Sequence, residues 1–466
     1  MKRVCVINIC IRPDAKSKIV PVGLGYVVTA MEKAGIKFDL IDMDINNYNA
    51  EDVEKIVKEN GGYDIFMFGC IVSGFKYAKS LTDMLKRICP DSVIIVGNSV
   101  ADSIPELALN KLNIDICSME EGDITTPELL NAIFENKDLR TVKGIVFKDK
   151  ETGEIVKTEP RPFVKNIDEL GFPNWDLFEL DKYKQYYSKA SVMETDENDI
   201  SFPLSTSRGC PFACTFCYIV VRNKKIRYRA YSEEAIKNEI IRLHSKYGVT
   251  VVSFWDDNSF PTQEHLLKRL DTIESLPFKV KWSCSCRTGL FHHGDDELIQ
   301  RMARAGCMNA AFSLESADPD ILKAIDKRIK VEDFIEQCHV LAKNGVIPLT
   351  SIIFGYPQET KESIKKTLDV CYEAGVFPSS GFLLPLPGTK IYQWCIDNGK
   401  ITDEYEYLMN IGDRQDFHIN VTNMSDEDLI NTVTTELQNL AVKQGINVEN
   451  VMKTVNYQAP KNKVKE

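Results

Sequence analysis

The sequence predicts an α/β protein in which a doubly wound parallel sheet precedes a partial barrel and a small, mainly helical C-terminal region. Three observations carry that expectation. Apolar, strand-length runs alternate with helix-length segments through most of the chain. The alternation pauses over a stretch without periodicity and restarts near residue 202, and its second series collects polar residues at the strand ends. At 466 residues the chain exceeds what one hydrophobic core usually organises, so two or three domains are expected.

In the first series, RVCVINI, KFDLIDM, DIFMFGC, SVIIVG and DICSM are each followed by a helical pattern, which argues a parallel sheet over residues 1–148. KGIVFKDKETGEIVKTE then predicts a β-hairpin turning at Thr152-Gly153. Residues 149–200, rich in Pro, Trp, Tyr and Asp, read as a linker packed between domains. The second series comprises FPLSTSRG, TVVSFWDD, VKWSCSCR, NAAFSLES, PLTSIIFG and SGFLLPLP. Six such units over residues 201–398 suit a partial (β/α)6, TIM-like barrel, whose C-terminal strand ends carry the chemistry in folds of this kind. Residues 399–466 read as helical, with SDEDLINTVTTELQNLAV the clearest amphipathic segment and APKNKVKE a frayed tail.

Composition narrows the function classes. A net charge of −11 argues against broad phosphate-backbone binding, and the basic run from Arg222 to Arg229 reads as a solvated loop, so no nucleic-acid partner is expected. No apolar run approaches the roughly 18 residues of a spanning helix, and the start, MKRVCVINICIRPD, reads as the first buried strand of a cytoplasmic protein. Fourteen cysteines without a secretion signal point to reduced thiols, metal ligands and core packing. Most of them, including Cys5, Cys10, Cys89, Cys307, Cys338 and Cys371, sit in apolar patterns where a thiol acts as a small hydrophobe. Cys284 and Cys286 share one face of a predicted strand and read as packing inside the barrel rather than as a second metal site.

One cluster is different. In SRGCPFACTFCYI, Cys210, Cys214 and Cys217 fall at C-x3-C-x2-C in a loop after a predicted strand. With 14 cysteines in 466 residues, chance supplies such a triplet about 0.01 times. Thiolates are the usual ligands of iron-sulfur clusters, and three of them leave one iron of a cubane open. A structural zinc site would need a fourth ligand at finger-like spacing, and no histidine precedes His244.

Over roughly residues 200–395 these features resemble the radical SAM superfamily, whose motif is this triplet with an aromatic residue before the last cysteine, here Phe216. The resemblance implies a 4Fe-4S cluster on Cys210, Cys214 and Cys217. Its open iron takes the amino and carboxylate groups of S-adenosylmethionine (SAM), and an electron then cleaves the sulfonium to a 5′-deoxyadenosyl radical. By strand order it also implies SAM contacts. Asp256 or Asp257 would face the amino group, Arg287 the carboxylate and Glu315 the ribose, with Phe354-Gly355 as an adenine shelf. Pro387-Gly388-Thr389 resembles the family's turn after the sixth strand, and it also reads as a helix start.

Residues 1–148 in turn resemble the Rossmann-like first domain of the cobalamin-binding radical SAM proteins. PVGLGYVVTAMEKAGIKFDLIDMDI and VIIVGNSVADSIPELALNKLNIDICSMEEGDITTPELL carry that resemblance. It implies cobalamin contacts at Leu24, Gly69, Ser73, Gly97, Asn98, Glu121 and Gly122, at the crevice outside the strand ends. The chain departs from the family pattern at Gly97-Asn98, commonly Gly-Gly, and at Glu120-Glu121-Gly122-Asp123, commonly a GEGE-like turn. It also lacks the D-x-H-x-x-G signature, so no histidine of this domain would ligate the cobalt.

Together the resemblances imply a cobalamin-dependent radical SAM enzyme. It would methylate an unactivated carbon or phosphorus centre of a small-molecule or peptide substrate, with an electron donor such as flavodoxin or ferredoxin. A cyclase or rearrangement enzyme with the same cofactors is the alternative. A methylthiotransferase would need three further cluster cysteines that Cys5, Cys10, Cys70, Cys89 and Cys117 do not match, and a non-catalytic cobalamin or SAM sensor would have no use for an open redox iron. Tyr183, Tyr186, Tyr187, Tyr405 and Tyr407 are candidates to line the substrate pocket, with aromatic packing as the competing reading.

Overall fold

The apolar runs of the first series pair in the order β2-β1-β3-β4-β5-β6-β7 in the computed structural model. It describes residues 2–13, 15, 17–187, 198–222 and 228–449. The strands are β1 (Val4–Asn8), β2 (Asp39–Asp42), β3 (Ile65–Gly69), β4 (Val93–Gly97), β5 (Ile116–Ser118), β6 (Ile145–Lys148) and β7 (Ile155–Lys157). The first five run parallel, whereas β6 and β7 are antiparallel to their neighbours. Helices cover both faces of a doubly wound sheet, so β1, β3 and β4 are continuous hydrophobic runs, buried along nearly their whole length. The order reverses between β1 and β3, which opens a crevice at the strand ends there.

The hairpin forms as expected. Gly153 turns it at φ +74°, donating its N–H to the Asp149 carbonyl at 2.9 Å. Residues 149–187 do more than link, since they complete the first compact unit, which comprises Met1–Pro203 and Asp403–Asn410. Trp175 is 2% exposed and stands edge-on to Phe202 at 5.2 Å, and a Cβ added to Gly25 would meet its ring at 2.9 Å. The Tyr183 hydroxyl donates to Asp42 at 2.7 Å, and the Tyr405 ring stands edge-on to Phe75. Those two tyrosines are therefore committed to packing rather than to a substrate pocket. Such anchors are isolated side chains in irregular backbone, so they leave no period in the sequence.

The second unit comprises Leu204–Thr402 and Ile411–Glu466. Its sheet runs β14-β13-β12-β11-β8, with β15-β16 as a separate pair. These strands are β8 (Ser201–Leu204), β11 (Val251–Phe254), β12 (Lys281–Ser285), β13 (Cys307–Ala311), β14 (Ile347–Leu349), β15 (Ser351–Phe354) and β16 (Ser379–Phe382). A parallel bridge between Glu315 and Ile352 joins the two parts, giving the six strand positions of the expected partial barrel. A short antiparallel pair, β9 (Ser207–Gly209) with β10 (Tyr228–Ala230), follows the first of them. At the start of β13 a Cβ on Gly306 would lie 2.3 Å from the Val280 carbonyl, so only glycine fits there.

Strand parity sorts the side chains. Ser283 and Ser253 hydrogen-bond at 3.1 Å on one face, and Ser313 meets Ser351 at 2.8 Å. Trp282 packs on the opposite face with Phe254, whose ring lies under Arg269 of the helix Gln263–Glu274. Cys284 shares the Trp282 face, so it packs toward the helices and not inside the barrel as expected from its spacing. Cys286 follows it, 3.9 Å from the amide nitrogen of Gln337 on the helix Val331–Lys343. The helix Asp426–Lys443, capped by Ser425, buries Leu429, Val433, Leu437 and Leu440 as its amphipathic pattern predicts. The tail APKNKVKE, the Tyr187 side chain and residues 223–227 of the basic run lie outside the described residues. No described helix is long and apolar enough to cross a membrane.

Trp175→Ala removes the largest of these anchors. It is expected to destabilise the first unit by about 3–5 kcal/mol in chemical denaturation; a loss below about 1 kcal/mol would show that the stretch around residue 175 is not part of that core.

Candidate active site

The cysteine loop begins where one strand is cut short. Asp256, just past β11, accepts the N–H groups of Thr206 and Ser207 at 2.7 and 2.8 Å, and the Thr206 hydroxyl at 2.7 Å. Both of its oxygens are thus used, which separates β8 from β9 and directs the chain into Gly209 at φ +84° and then Cys210. Burial pushes the Asp256 carboxyl up, opposed by the Thr206 bonds and the Arg269 charge. Asp257 is exposed, and its charge raises the thiols of Cys210 and Cys217. The sequence left these two aspartates interchangeable; in the structure Asp256 is a brace, whereas Asp257 is exposed and acts on the thiols only through its charge.

Between its cysteines the loop is held at several points. Thr215 donates its N–H to Ile325 at 2.9 Å and its hydroxyl to Ala324 at 3.3 Å. Cys217 donates its N–H to the Cys214 carbonyl, and Phe216 meets Tyr356 edge-on at 6.2 Å. The Arg287 guanidinium lies 3.7 Å from the Phe212 ring centroid, beside the loop that carries Cys210. Burial raises the Cys210 thiol and pushes Cys217 up to about 12, and each also feels the other two thiols or their neighbours.

Thiolates are the usual protein ligands of iron-sulfur clusters, and this loop offers three of them. Cys210 and Cys217 each feel the Cys214 thiol electrostatically. Among the described residues, His292, Asp333 and Glu336 form a separate set of metal-capable side chains, with ligand atoms mutually within 4.8 Å.

Other strand ends bring further expected residues to the same unit. Glu315, after β13, is 5% exposed and adopts φ +64°, uncommon for a residue with a side chain. One of its oxygens accepts Lys327 at 2.9 Å; the other is buried without a partner. Phe354 is buried in register with Phe382, and Gly355 has the glycine-favouring φ of +92°. Thr389 caps the helix Lys390–Asp397, accepting from Tyr392, so the Pro-Gly-Thr segment does start a helix. Sequence reasoning missed Lys327, Tyr356 and Glu359. Tyr356 is 1% exposed with an unpartnered hydroxyl, which burial and the Glu315 and Glu359 charges push well up. Glu359 accepts from the Gly355 N–H and the Ser363 hydroxyl, and burial pushes it up to about 7. An acid four residues after a strand-ending glycine was the available signal for Glu359, whereas nothing in the sequence marks Lys327.

In the first unit, Gly69, Gly97 and the Glu120–Gly122 turn lie at one end of the parallel sheet. The Cys70 N–H donates to Gly97, and Val72 donates to the Ser99 hydroxyl, stitching the Ser73 loop to the next strand end. Gly69 is exposed, and a Cβ there would meet only Asn98 at 3.7 Å. Asn98 takes φ +67° and Glu120 φ +59°, so both altered turns hold backbone that glycine usually supplies. Leu24 lies half-buried on the helix Val22–Lys33, and Gly122 starts the helix that packs beside it. A Cβ on Gly122 would come within 3.0 Å of Val27. Gly69 and Gly97 thus leave their strand ends bare of side chains, whereas helix packing accounts for Gly122.

A partial barrel with a thiol triplet after its first strand, following a doubly wound domain in the sequence, is the arrangement of a radical SAM enzyme with a cofactor-binding module. Residues 204–371 match the radical SAM superfamily and residues 10–130 the B12 binding domain. The chain thus carries a radical SAM domain and a B12-binding domain, with a 4Fe-4S cluster, SAM and cobalamin as their cofactors. It is 28% identical over 381 residues to the uncharacterized methyltransferase PH0819 of Pyrococcus horikoshii, covering 81% of this chain and 79% of the relative. It is 25% identical over 444 residues to the cytidylyl-2-hydroxyethylphosphonate methyltransferase of Streptomyces wedmorensis, covering 84% and 81%. A structure of the radical SAM methyltransferase TsrM from Kitasatospora setae shares the fold at TM-score 0.66 and 16% identity, over 85% of this chain and 77% of that one.

Two outcomes test the site. Asp256→Ala should cost about 2–4 kcal/mol, because buried donors lose their acceptor, whereas Asp257→Asn should change stability by less than about 0.5 kcal/mol; equal effects in thermal unfolding would contradict the division of roles. Glu359 is raised in the folded chain, so its contribution is full below the ordinary carboxylate range and is lost as pH rises through about 7. Glu359→Gln should therefore flatten the stability profile from about pH 4.5 to 7, and an unchanged slope would exclude this group as its source.

Proposed function

We propose that Cys210, Cys214 and Cys217 hold the cluster and that the enzyme methylates an unactivated carbon or phosphorus centre of a small-molecule or peptide substrate. The observation that carries this reading is the C-x3-C-x2-C triplet on one braced loop, inside the residues that match the radical SAM superfamily. Both relatives above are methyltransferases by name, which supports methyl transfer over cyclisation. When bound, the cluster supplies the electron that splits the SAM sulfonium, and cobalamin supplies the transferable methyl group.

The chain's own residues do the placing. Asp257 would meet the SAM amino group, and Arg287, stacked on Phe212, would present a cation to its carboxylate. Glu315 would accept from the ribose, and Phe354 with Gly355 would hold the adenine. Phe216, beside the last cysteine of the triplet, packs edge-on against the buried Tyr356. In the first unit the Gly69, Ser73, Gly97, Asn98, Glu121 and Gly122 shelf, with Leu24 beside it, holds the corrin. We place the reaction in the cytoplasm, with a flavodoxin or ferredoxin as reductant.

Anaerobic protein given SAM, cobalamin and a low-potential reductant should form S-adenosylhomocysteine, 5′-deoxyadenosine and methionine. Cys214→Ala should lower bound iron from about four per chain and abolish 5′-deoxyadenosine. A full cluster with 5′-deoxyadenosine formation in that variant would overturn the assignment. Formation of 5′-deoxyadenosine without S-adenosylhomocysteine in the unaltered enzyme would turn the reaction to cyclisation or rearrangement.

A further inference from the structure

Metal-ligand chemistry also gathers away from the cysteines. His292, on the loop that follows β12, meets Asp333 and Glu336 of the helix Val331–Lys343, with one imidazole nitrogen and two carboxylate oxygens mutually within 4.8 Å. His292 is exposed and both acids are half-buried, so an ion can reach them from solvent. The acids stand three residues apart on one helix, where like charges repel. Among the described residues neither has a lysine or arginine within ion-pair distance; the one such contact is the His293 ring, 3.9 Å from Glu336. Attraction to the helix N-terminus accounts for Asp333, in the first turn, and fades before Glu336.

The convergence is fixed by buried hydrogen bonds. Gln337, fully buried beside Glu336, accepts the N–H groups of Gly289, Leu290 and Phe291 at 2.9, 2.9 and 3.2 Å, and donates to the Arg287 carbonyl at 3.3 Å. At the far end of the loop Asp295 accepts the His292 N–H at 2.9 Å and the Gln263 amide at 2.8 Å. The His293 N–H donates to Glu336, and Asp333 lies against the loop at Gly289, where a Cβ would stand 3.7 Å from its Oδ2. Loop and helix are thus locked together before any ion binds, which lowers the cost of ordering a site that both supply.

One imidazole nitrogen with two carboxylate oxygens suits zinc or a similar first-row divalent ion, whereas magnesium and calcium prefer oxygen alone. Bonds of about 2.1 Å place such ligand atoms about 3.4 Å apart around a tetrahedral ion, so modest side-chain rotation closes the set and water completes it.

We infer that His292, Asp333 and Glu336 form a zinc-class divalent-cation site, independent of the three cysteines, that clips the loop after β12 to the helix Val331–Lys343. The role is structural, and the clipped loop is the one that Arg287 begins.

The test uses the anaerobic, cluster-loaded full chain, desalted after brief chelator treatment and titrated with zinc chloride alone, with iron content measured throughout. The unaltered protein should bind one zinc per chain at unchanged iron content, and saturating zinc should raise its unfolding temperature by at least about 3 °C. His292→Ala and Asp333→Asn should each weaken zinc binding at least about tenfold and lose that shift, with iron content unchanged. Absence of zinc binding by the unaltered protein, or equal binding and an equal shift in His292→Ala, would overturn the site. Displacement of the zinc by a tenfold excess of magnesium would overturn its assignment to the zinc class.

Discussion

The Asp256 carboxylate accepts the N–H groups of Thr206 and Ser207 together with the Thr206 hydroxyl, and by doing so it ends one strand and begins the next. Three residues after Ser207 stands the first cysteine of the triplet. A buried anion of this kind is tolerated only when its oxygens are met, and here backbone, hydroxyl and the nearby Arg269 charge meet them. The position of the cysteine loop relative to the barrel follows from that bond set. Asp257, the next residue, is exposed instead.

The loop itself is braced from the far side of the barrel. Thr215 bonds to the turn that carries Lys327, and Lys327 bonds to Glu315 at the end of the fourth strand position. Thiols and strand ends are therefore parts of one hydrogen-bonded frame within this unit. Preorganisation of that sort is what radical chemistry needs from a protein: the reactive cofactors do the difficult step, while fixed side chains decide where it happens. The first unit supplies its own prepared surface, a sheet end whose turns use left-handed Asn98 and Glu120 in place of glycine.

How much of this was legible in the sequence depended on the kind of signal. Strand–helix alternation and the Thr152-Gly153 hairpin could be read because periodicity and turn chemistry are local. The triplet could be read because three thiols at fixed spacing are rare by chance. Asp256 and Asp257 could not be separated, because their difference lies in partners 50 residues away. Lys327 and Tyr356 were invisible for the same reason: their roles come from burial and unmet bonds. Cys284 was placed on the wrong side of its strand, since a two-residue repeat shows that two residues share a face without showing which face it is. Residues 149–200 read as a linker because Trp175 and Tyr183 act as single anchors without a repeating pattern.

The central claim is that three thiols hold a cubane and leave one iron for SAM. Mössbauer spectroscopy of enzyme reconstituted with iron-57 tests it most directly, because it reports each iron's coordination. The account predicts about four irons per chain, of which one quarter change their isomer shift and quadrupole splitting when SAM is added. A spectrum of four equivalent irons that SAM leaves unaltered, or a single mononuclear site, would contradict it.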